Sequence, residues 1–88
     1  MPCSLTKAEV SAIILDVLRS LHKMPQITEG TMFGRDLIVD DLAKEMYFFP
    51  IKMSVERVGC VLGKKFTMTS CRKATTVGAL VKSVFDAL

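Results

Sequence analysis

Few side chains in this 88-residue sequence have the types and spacing that catalysis or metal binding requires. The three cysteines, Cys3, Cys60 and Cys71, lie far apart without a C-x-x-C pair, and His22 is the only histidine. Such a pattern favours neither a disulfide framework nor a zinc site. The sequence also has no Ser-His-Asp or Cys-His arrangement and no glycine-rich phosphate loop. We therefore predict a protein that is not an enzyme and binds no metal.

A run of four large apolar residues, Met46 to Phe49, is a candidate interaction site. Successive residues of a helix point about 100° apart, so four in a row cannot all face one core. At least one should be exposed or lie in an interface, although burial in a wide helix face is the alternative. We assign a candidate partner-binding surface to three aromatic residues of this run and the cations near them: Tyr47, Phe48, Phe49, Lys44, Lys52 and Arg57.

The charge of the chain is mildly basic. Twelve Lys and Arg against nine Asp and Glu give a formal net charge of +3, which falls short of a typical nucleic-acid-binding footprint. One further group of cations could bind phosphate, an acidic protein or nucleic acid, although a solvated loop is the more common outcome. This group comprises Lys64, Lys65, Arg72 and Lys73.

The N-terminal segment gives no sign of a targeting sequence. Residues 1–7 lack a basic stretch followed by an apolar run and a small-residue cleavage site. No apolar stretch is long enough to span a membrane. We expect a cytoplasmic protein with reduced thiols. Its length fits a single domain covering residues 1–88.

The first and last helices have the clearest patterns. Six apolar residues between Val10 and Leu21 recur at i, i+3, i+4, i+7, i+8 and i+11, which is one stripe of an amphipathic helix. Thr6 and Glu9 have the spacing of a capping box at its start. The same template recurs over 77–88, where Thr75 or Thr76 can cap the helix.

The middle of the chain is less regular. Residues 24–40 form a long connection, which isolated apolar residues such as Ile27 and Leu37 should pin to the core. Asp40 or Asp41 can cap the next helix, and Pro50 should kink or break it. A further helical piece is expected over 55–62, ended by Gly63, and then a loop with at most one short turn. Three apolar residues of this helix are predicted to be buried: Leu42, Met46 and Phe49.

Together these elements resemble the acyl carrier protein family over nearly the whole chain. The segment from Ile27 to Leu42, ITEGTMFGRDLIVDDL, aligns without a gap with the family's approach to its modified serine, which typically ends in Asp-Ser-Leu. The segment from Thr75 to Val81, TTVGALV, is similar to the start of the family's last helix. The resemblance implies an all-α, acyl-carrier-like bundle of three main helices plus one short helix.

Asp41 occupies the position of the serine that carries phosphopantetheine in this family. A carboxylate cannot form the phosphodiester link that a serine hydroxyl makes. Pro50 and the basic charge also depart from the family, whose recognition helix is usually uninterrupted and acidic. We therefore predict a non-canonical homologue without a prosthetic group, which binds protein partners such as enzymes of fatty-acid or polyketide assembly.

Alternative interpretations remain for two sites. The run Ser54 to Val58 also resembles the family's serine-containing motif, so Ser54 could carry phosphopantetheine, or it could be an ordinary helix-cap serine. Asp41 could be only a helix N-cap, favoured by the free N–H groups of the first turn. A third hypothesis is a small basic module that binds an acidic protein or nucleic acid. Cys60 and Cys71 are candidate reactive thiols, with burial the stronger expectation for Cys60.

Overall fold

The computed structural model describes residues 3–88, and these form an all-α bundle, as predicted. Five helices occur in this range: α1 (Lys7–His22), α2 (Asp41–Met46), α3 (Phe48–Arg57), α4 (Met68–Lys73) and α5 (Val77–Asp86). Beyond them, extended pairing within the described range is limited to two isolated bridges. The all-α class is therefore confirmed, with two short helices, α2 and α4, beside three longer ones.

The limits of α1 and α5 follow from the capping residues. Thr6 accepts a hydrogen bond from the backbone N–H of Glu9, whose carboxylate accepts one from the Thr6 N–H, so the predicted capping box is present. Thr76 caps α5 by accepting from the Ala79 N–H at 3.0 Å. Lys23 adopts a left-handed conformation after α1, which turns the chain away before Pro25.

The connection between α1 and α2 is fixed against the start of α5. The backbone N–H of Val77 donates to the Thr31 carbonyl at 3.0 Å, and that of Gly78 donates to the Glu29 carbonyl at 2.8 Å. Ile27 and Leu37 are buried in the core, as predicted. This segment is therefore a pinned loop, and it holds the start of α2 in place.

Pro50 accounts for the break between α2 and α3. Proline has no backbone N–H, so Pro50 cannot donate to the carbonyl of residue 46, four positions earlier. Met46 is the last residue of α2, and Tyr47 separates the two helices while keeping right-handed helical angles. Pro50 itself lies in the first turn of α3, where a missing N–H is tolerated. The predicted break is confirmed, but it lies before the proline.

The predicted helix over 55–62 ended by Gly63 is wrong. The helix ends at Arg57, and Gly59, with a φ of 85°, supplies the left-handed conformation that follows it. Gly63 has a different role, since its N–H donates to the Ala87 carbonyl at 2.7 Å. A Cβ at this position would lie 2.8 Å from the same carbonyl oxygen, so the close approach requires glycine.

The core forms where α1 packs on α3 and α5 while α2 packs on α4. Its largest fully buried side chains come from all three longer helices and from the α1–α2 connection: Ile14, Leu18, Ile27, Ile51 and Leu80. No helix of the described residues has the length and apolar character needed to cross a membrane.

The structure corrects the prediction that all three thiols are reduced. Cys3 and Cys60 form a disulfide bond with Cα atoms 5.0 Å apart, although 57 positions separate them in sequence. The fold brings together two cysteines whose spacing gave no sign of pairing. Because disulfides persist mainly in oxidising compartments, the predicted cytoplasmic location loses the support that reduced thiols gave it and stays a prediction.

Candidate functional site: the α2–α3 face and the adjoining groove

The start of α2 assigns different roles to the two aspartates. Asp40 is the N-cap, and its Oδ1 accepts from the Ala43 N–H at 2.7 Å. Asp41 is the first residue of the helix and its side chain is exposed. The interpretation of Asp41 as the N-cap is therefore wrong. A carboxylate in the first turn still interacts favourably with the helix dipole, but no capping bond requires it there.

Four exposed apolar side chains follow one another along α2 and α3. Leu42, Met46, Phe49 and Met53 have the spacing i, i+4, i+7 and i+11 and are 46% to 66% exposed. Because Tyr47 keeps helical angles between the two helices, this spacing gives one continuous stripe. We call these four residues the α2–α3 stripe. Its exposure overturns the prediction that Leu42, Met46 and Phe49 are buried.

The other face of α2–α3 is buried, and its residues are each offset by one or two positions from those of the stripe. Tyr47, Ile51 and Val55 recur at i, i+4 and i+8 and are buried. The Tyr47 hydroxyl lies 2.5 Å from Nε2 of His22, which anchors the junction of α2 and α3 to the end of α1. Burial raises the pKa of Tyr47 to about 12, with a smaller contribution from Cys71. Tyr47 therefore belongs to the core, which corrects its assignment to the partner-binding surface.

The cations predicted to flank this surface separate into two groups. Lys44 is buried, and its Nζ lies 5.2 Å from the centre of the Phe33 ring in a cation–π contact. Its assignment to the partner-binding surface is therefore wrong. Lys52 and Arg57 are exposed on α3, as that assignment requires. Only these two of the three cations remain available to a partner.

The second group of cations lies around α4. Lys64, Lys65 and Lys73 are exposed, whereas Arg72 lies 3.9 Å from the Glu45 carboxylate of α2. An exposed ion pair of this length contributes little to stability. The pair nevertheless places a negative charge beside the cluster, so its four cations do not form a single free patch.

Ser54 lies within α3 and not at its start. It is partly buried, one position before the buried Val55 and three after the buried Ile51. The interpretation of Ser54 as a helix-cap serine is therefore wrong. Ser54 is the seventh residue of α3, whereas the position that the resemblance gives to the modified serine, residue 41, opens α2.

A groove lies beside Phe48. It has a volume of about 530 Å³ and lies between α3 and the connection that leads into α4. Phe48 stacks on Phe66 with ring centres 5.6 Å apart, while its edge-to-face contact with Phe49 spans 5.5 Å. Phe48 is partly buried and lines the groove, whereas Phe49, which it contacts, belongs to the α2–α3 stripe.

The free thiol is buried beneath α2. Cys71 is almost inaccessible, and burial raises its pKa to about 12. A thiol with so high a pKa remains protonated and unreactive at neutral pH. Cys60 is engaged in the disulfide. Neither cysteine is therefore a reactive thiol in this structure.

Reasoning from the sequence missed the stripe, the groove and the disulfide. The stripe had a signal, because Tyr47, Ile51 and Val55 form an equally good apolar set that would have placed Met46 and Phe49 outside. The groove forms where the connection that carries Phe66 packs on Phe48 of α3, and no local pattern encodes this contact.

Among residues 3–88, no group of three or more His, Cys, Asp or Glu side chains is placed to hold a metal ion. Comparisons of the chain with known protein families, with curated proteins and with solved structures gave no match.

Proposed function

We propose that this chain is a non-canonical acyl-carrier-like module that lacks phosphopantetheine and acts by binding a partner protein through the α2–α3 stripe. The partner is an enzyme of acyl or polyketide assembly. The exposure of Leu42, Met46, Phe49 and Met53 carries the proposal.

The stripe has the properties of a protein-binding surface. Exposed apolar residues scattered singly are common, whereas four of them aligned on one helix face form a patch of the kind that partners cover. Phe49 and two methionines supply adaptable apolar contacts, because methionine is flexible and polarisable. Lys52 and Arg57 lie on the same helix and can form a polar rim toward an acidic partner.

The acyl-carrier part of the proposal has separate support. The order of a long first helix, a pinned connection, a helical segment opened by Asp41, a short helix and a closing helix is the order that the resemblance implies, except that the segment is broken at Tyr47 into α2 and α3. Asp41 lies exposed at the start of α2, in the position that the resemblance gives to the modified serine. Its carboxylate presents no hydroxyl to a phosphopantetheinyl transferase.

An intact-mass measurement tests the absence of the prosthetic group. The chain would be co-expressed with a broad-specificity phosphopantetheinyl transferase, with an ordinary acyl carrier protein as the positive control. We expect no mass increase. An increase that disappears in Ser54→Ala would establish the alternative in which Ser54 is the attachment site.

Binding to a panel of purified acyl- and polyketide-assembly enzymes tests the partner surface. We expect Phe49→Ser to weaken binding to the cognate enzyme about tenfold or more, as for a central interface residue. Leu21→Ser is the matched control, since Leu21 is 53% exposed on α1 and lies outside the stripe. Equal effects of the two substitutions, or binding to none of these enzymes, would contradict the proposal.

The salt dependence of binding separates this proposal from the basic-module hypothesis. Binding through the stripe should weaken only modestly between low and moderate salt, because the charges of Lys52 and Arg57 lie at its rim. Binding of nucleic acid through Lys64, Lys65 and Lys73 would instead weaken steeply as salt displaces the cations from phosphate. Steep loss of binding together with insensitivity to Phe49→Ser would favour the basic module.

A further inference from the structure

We propose that the groove beside Phe48 is a binding site for a small hydrophobic organic anion, whose apolar body lies against the aromatic wall and whose carboxylate lies between Lys52 and Lys64. The volume of about 530 Å³ falls within the range of roughly 300–1,000 Å³ that is typical of small-molecule sites.

The interior of the groove is apolar. Phe48, Leu62, Phe66 and Met68 contribute to its lining. Phe66 is buried and stacks on Phe48, so one wall is held rigidly by the core. Phe48 and Leu62 are only partly buried and present apolar surface that a ligand could remove from water. An apolar body is therefore the part of a ligand that this interior fits.

The lining of the groove carries positive charge. Lys52 comes from α3 and Lys64 from the connection, and both side chains are exposed. The ion pairs found between residues 3 and 88 involve neither of them. Both amines are therefore free to receive an anion, and Lys65 adds positive charge beside them. No acidic residue contributes to the lining, so the groove attracts an anion and not a cation.

Two kinds of group, apolar and cationic, thus converge on one concave surface. A few polar groups placed around an apolar pocket is the usual composition of a ligand site. Thr67 and Thr69 also line the groove, and their hydroxyls are compatible with a carboxylate. The inference rests on the groove and not on the α2–α3 stripe, because the two share no residue. Lys52 is the one side chain used by both proposals, since it lines the groove and also belongs to the rim of the proposed partner surface.

Titration followed by amide NMR shifts tests the site, with octanoate as the probe. Octanol and acetate serve as comparison ligands, because the first keeps the apolar chain without the charge and the second keeps the carboxylate without the chain. We expect octanoate to bind several-fold more tightly than either. Its shifts should be concentrated at residues 48, 52 and 62–69, and higher salt should weaken the binding of octanoate but not that of the uncharged octanol.

Substitution of the lysines tests the assignment of the carboxylate. The double variant Lys52→Gln, Lys64→Gln should bind octanoate about as weakly as the unmodified protein binds octanol. Lys82→Gln removes one exposed lysine of α5 and should leave binding unchanged. Both variants alter exposed side chains, and unchanged amide spectra without ligand would verify their folds. Equal binding of octanol and octanoate, shifts centred on the α2–α3 stripe, or no effect of the double variant would overturn the proposal.

Discussion

The Tyr47 hydroxyl and Nε2 of His22 lie 2.5 Å apart, which ties the junction between α2 and α3 to the last turn of α1. The two rings also meet edge to face, with centres 5.7 Å apart. Tyr47 is thus held by a polar contact at its tip and by apolar contacts along its ring. Together with the buried Ile51 and Val55, this side chain forms the inward face of α2–α3, and the stripe is left exposed on the outer face.

Removal of the Tyr47 hydroxyl should destabilise the protein modestly. We expect Tyr47→Phe to lower the free energy of unfolding by about 1 kcal/mol, because the ring still fills its site and His22 can reach water. Tyr47→Ala should lower it by about 3–5 kcal/mol through the cavity that it creates. Urea unfolding checks both values. Phe49→Ala, on the exposed side, is the control and should cost far less than Tyr47→Ala.

The disulfide should contribute strongly to stability. A bond that joins residues 57 positions apart restricts the unfolded chain, and the chain-entropy relation gives a stabilisation of about 4 kcal/mol. We expect Cys3→Ser with Cys60→Ser to lower the free energy of unfolding by up to about this amount. A reductant should destabilise the unmodified protein and leave the double variant unaffected. Three titratable thiols in the denatured, unreduced protein would show that the bond is absent.

The buried thiol and phenol should make stability fall in alkaline solution. Burial raises the pKa of Cys71 from 9.0 to about 12, so above pH 9 the unfolded chain releases a proton that the folded protein retains. The free energy of unfolding therefore decreases as the pH rises from 9 toward 12, by less than about 1.4 kcal/mol per pH unit for one group. Tyr47 adds to this decrease above pH 10, its ordinary pKa.

Urea unfolding across this alkaline range checks the effect. Cys71→Ala should unfold more easily at neutral pH because a buried side chain is shortened. Its stability should nevertheless fall less steeply with pH than that of the unmodified protein. Identical slopes in the two proteins would show that Cys71 ionises as readily in the folded state as in the unfolded one.

Two glycines provide a matched test of the contact between the α3–α4 connection and the end of α5. A Cβ at Gly63 would lie 2.8 Å from the Ala87 carbonyl oxygen, whereas one at Gly30 would meet only Thr28 Oγ1 at 3.8 Å. We expect Gly63→Ala to destabilise the protein by about 1–3 kcal/mol and Gly30→Ala to have little effect. Thermal unfolding distinguishes them, and equal melting temperatures would contradict the close approach.

The sequence predicted the outer elements of the fold better than the site. The capping residues of α1 and α5 and their apolar stripes are local signals, and both helices occur where these signals place them. In α2–α3, both the stripe and the set Tyr47, Ile51 and Val55 have helical spacing, so local periodicity cannot decide which of the two sets is buried. Contacts of Tyr47 with His22 and Phe33 help to decide which set is buried, and such contacts exist only in the folded chain.

The same limit explains the cysteines and the groove. Pairing of Cys3 with Cys60 depends on the end of α3 meeting the N-terminal segment, across most of the chain. The groove depends on Phe66 stacking on Phe48, which a separation of 18 positions with an irregular connection does not encode. Local patterns thus predicted helices, whereas the long-range packing that builds the surfaces could not be read from them.

Restoring a hydroxyl at residue 41 tests the resemblance on which the proposed function rests. Asp41 is exposed and makes no capping bond, since Asp40 caps α2, so Asp41→Ser should fold normally. We expect this variant, co-expressed with a broad-specificity phosphopantetheinyl transferase, to gain the mass of the prosthetic group. Asp40→Ser is the matched control, because it places a serine one residue earlier while still allowing a cap. Modification of Asp41→Ser alone would support a shared architecture with acyl carrier proteins. If neither variant is modified while an ordinary acyl carrier protein is, the resemblance does not extend to the surface that the transferase recognises.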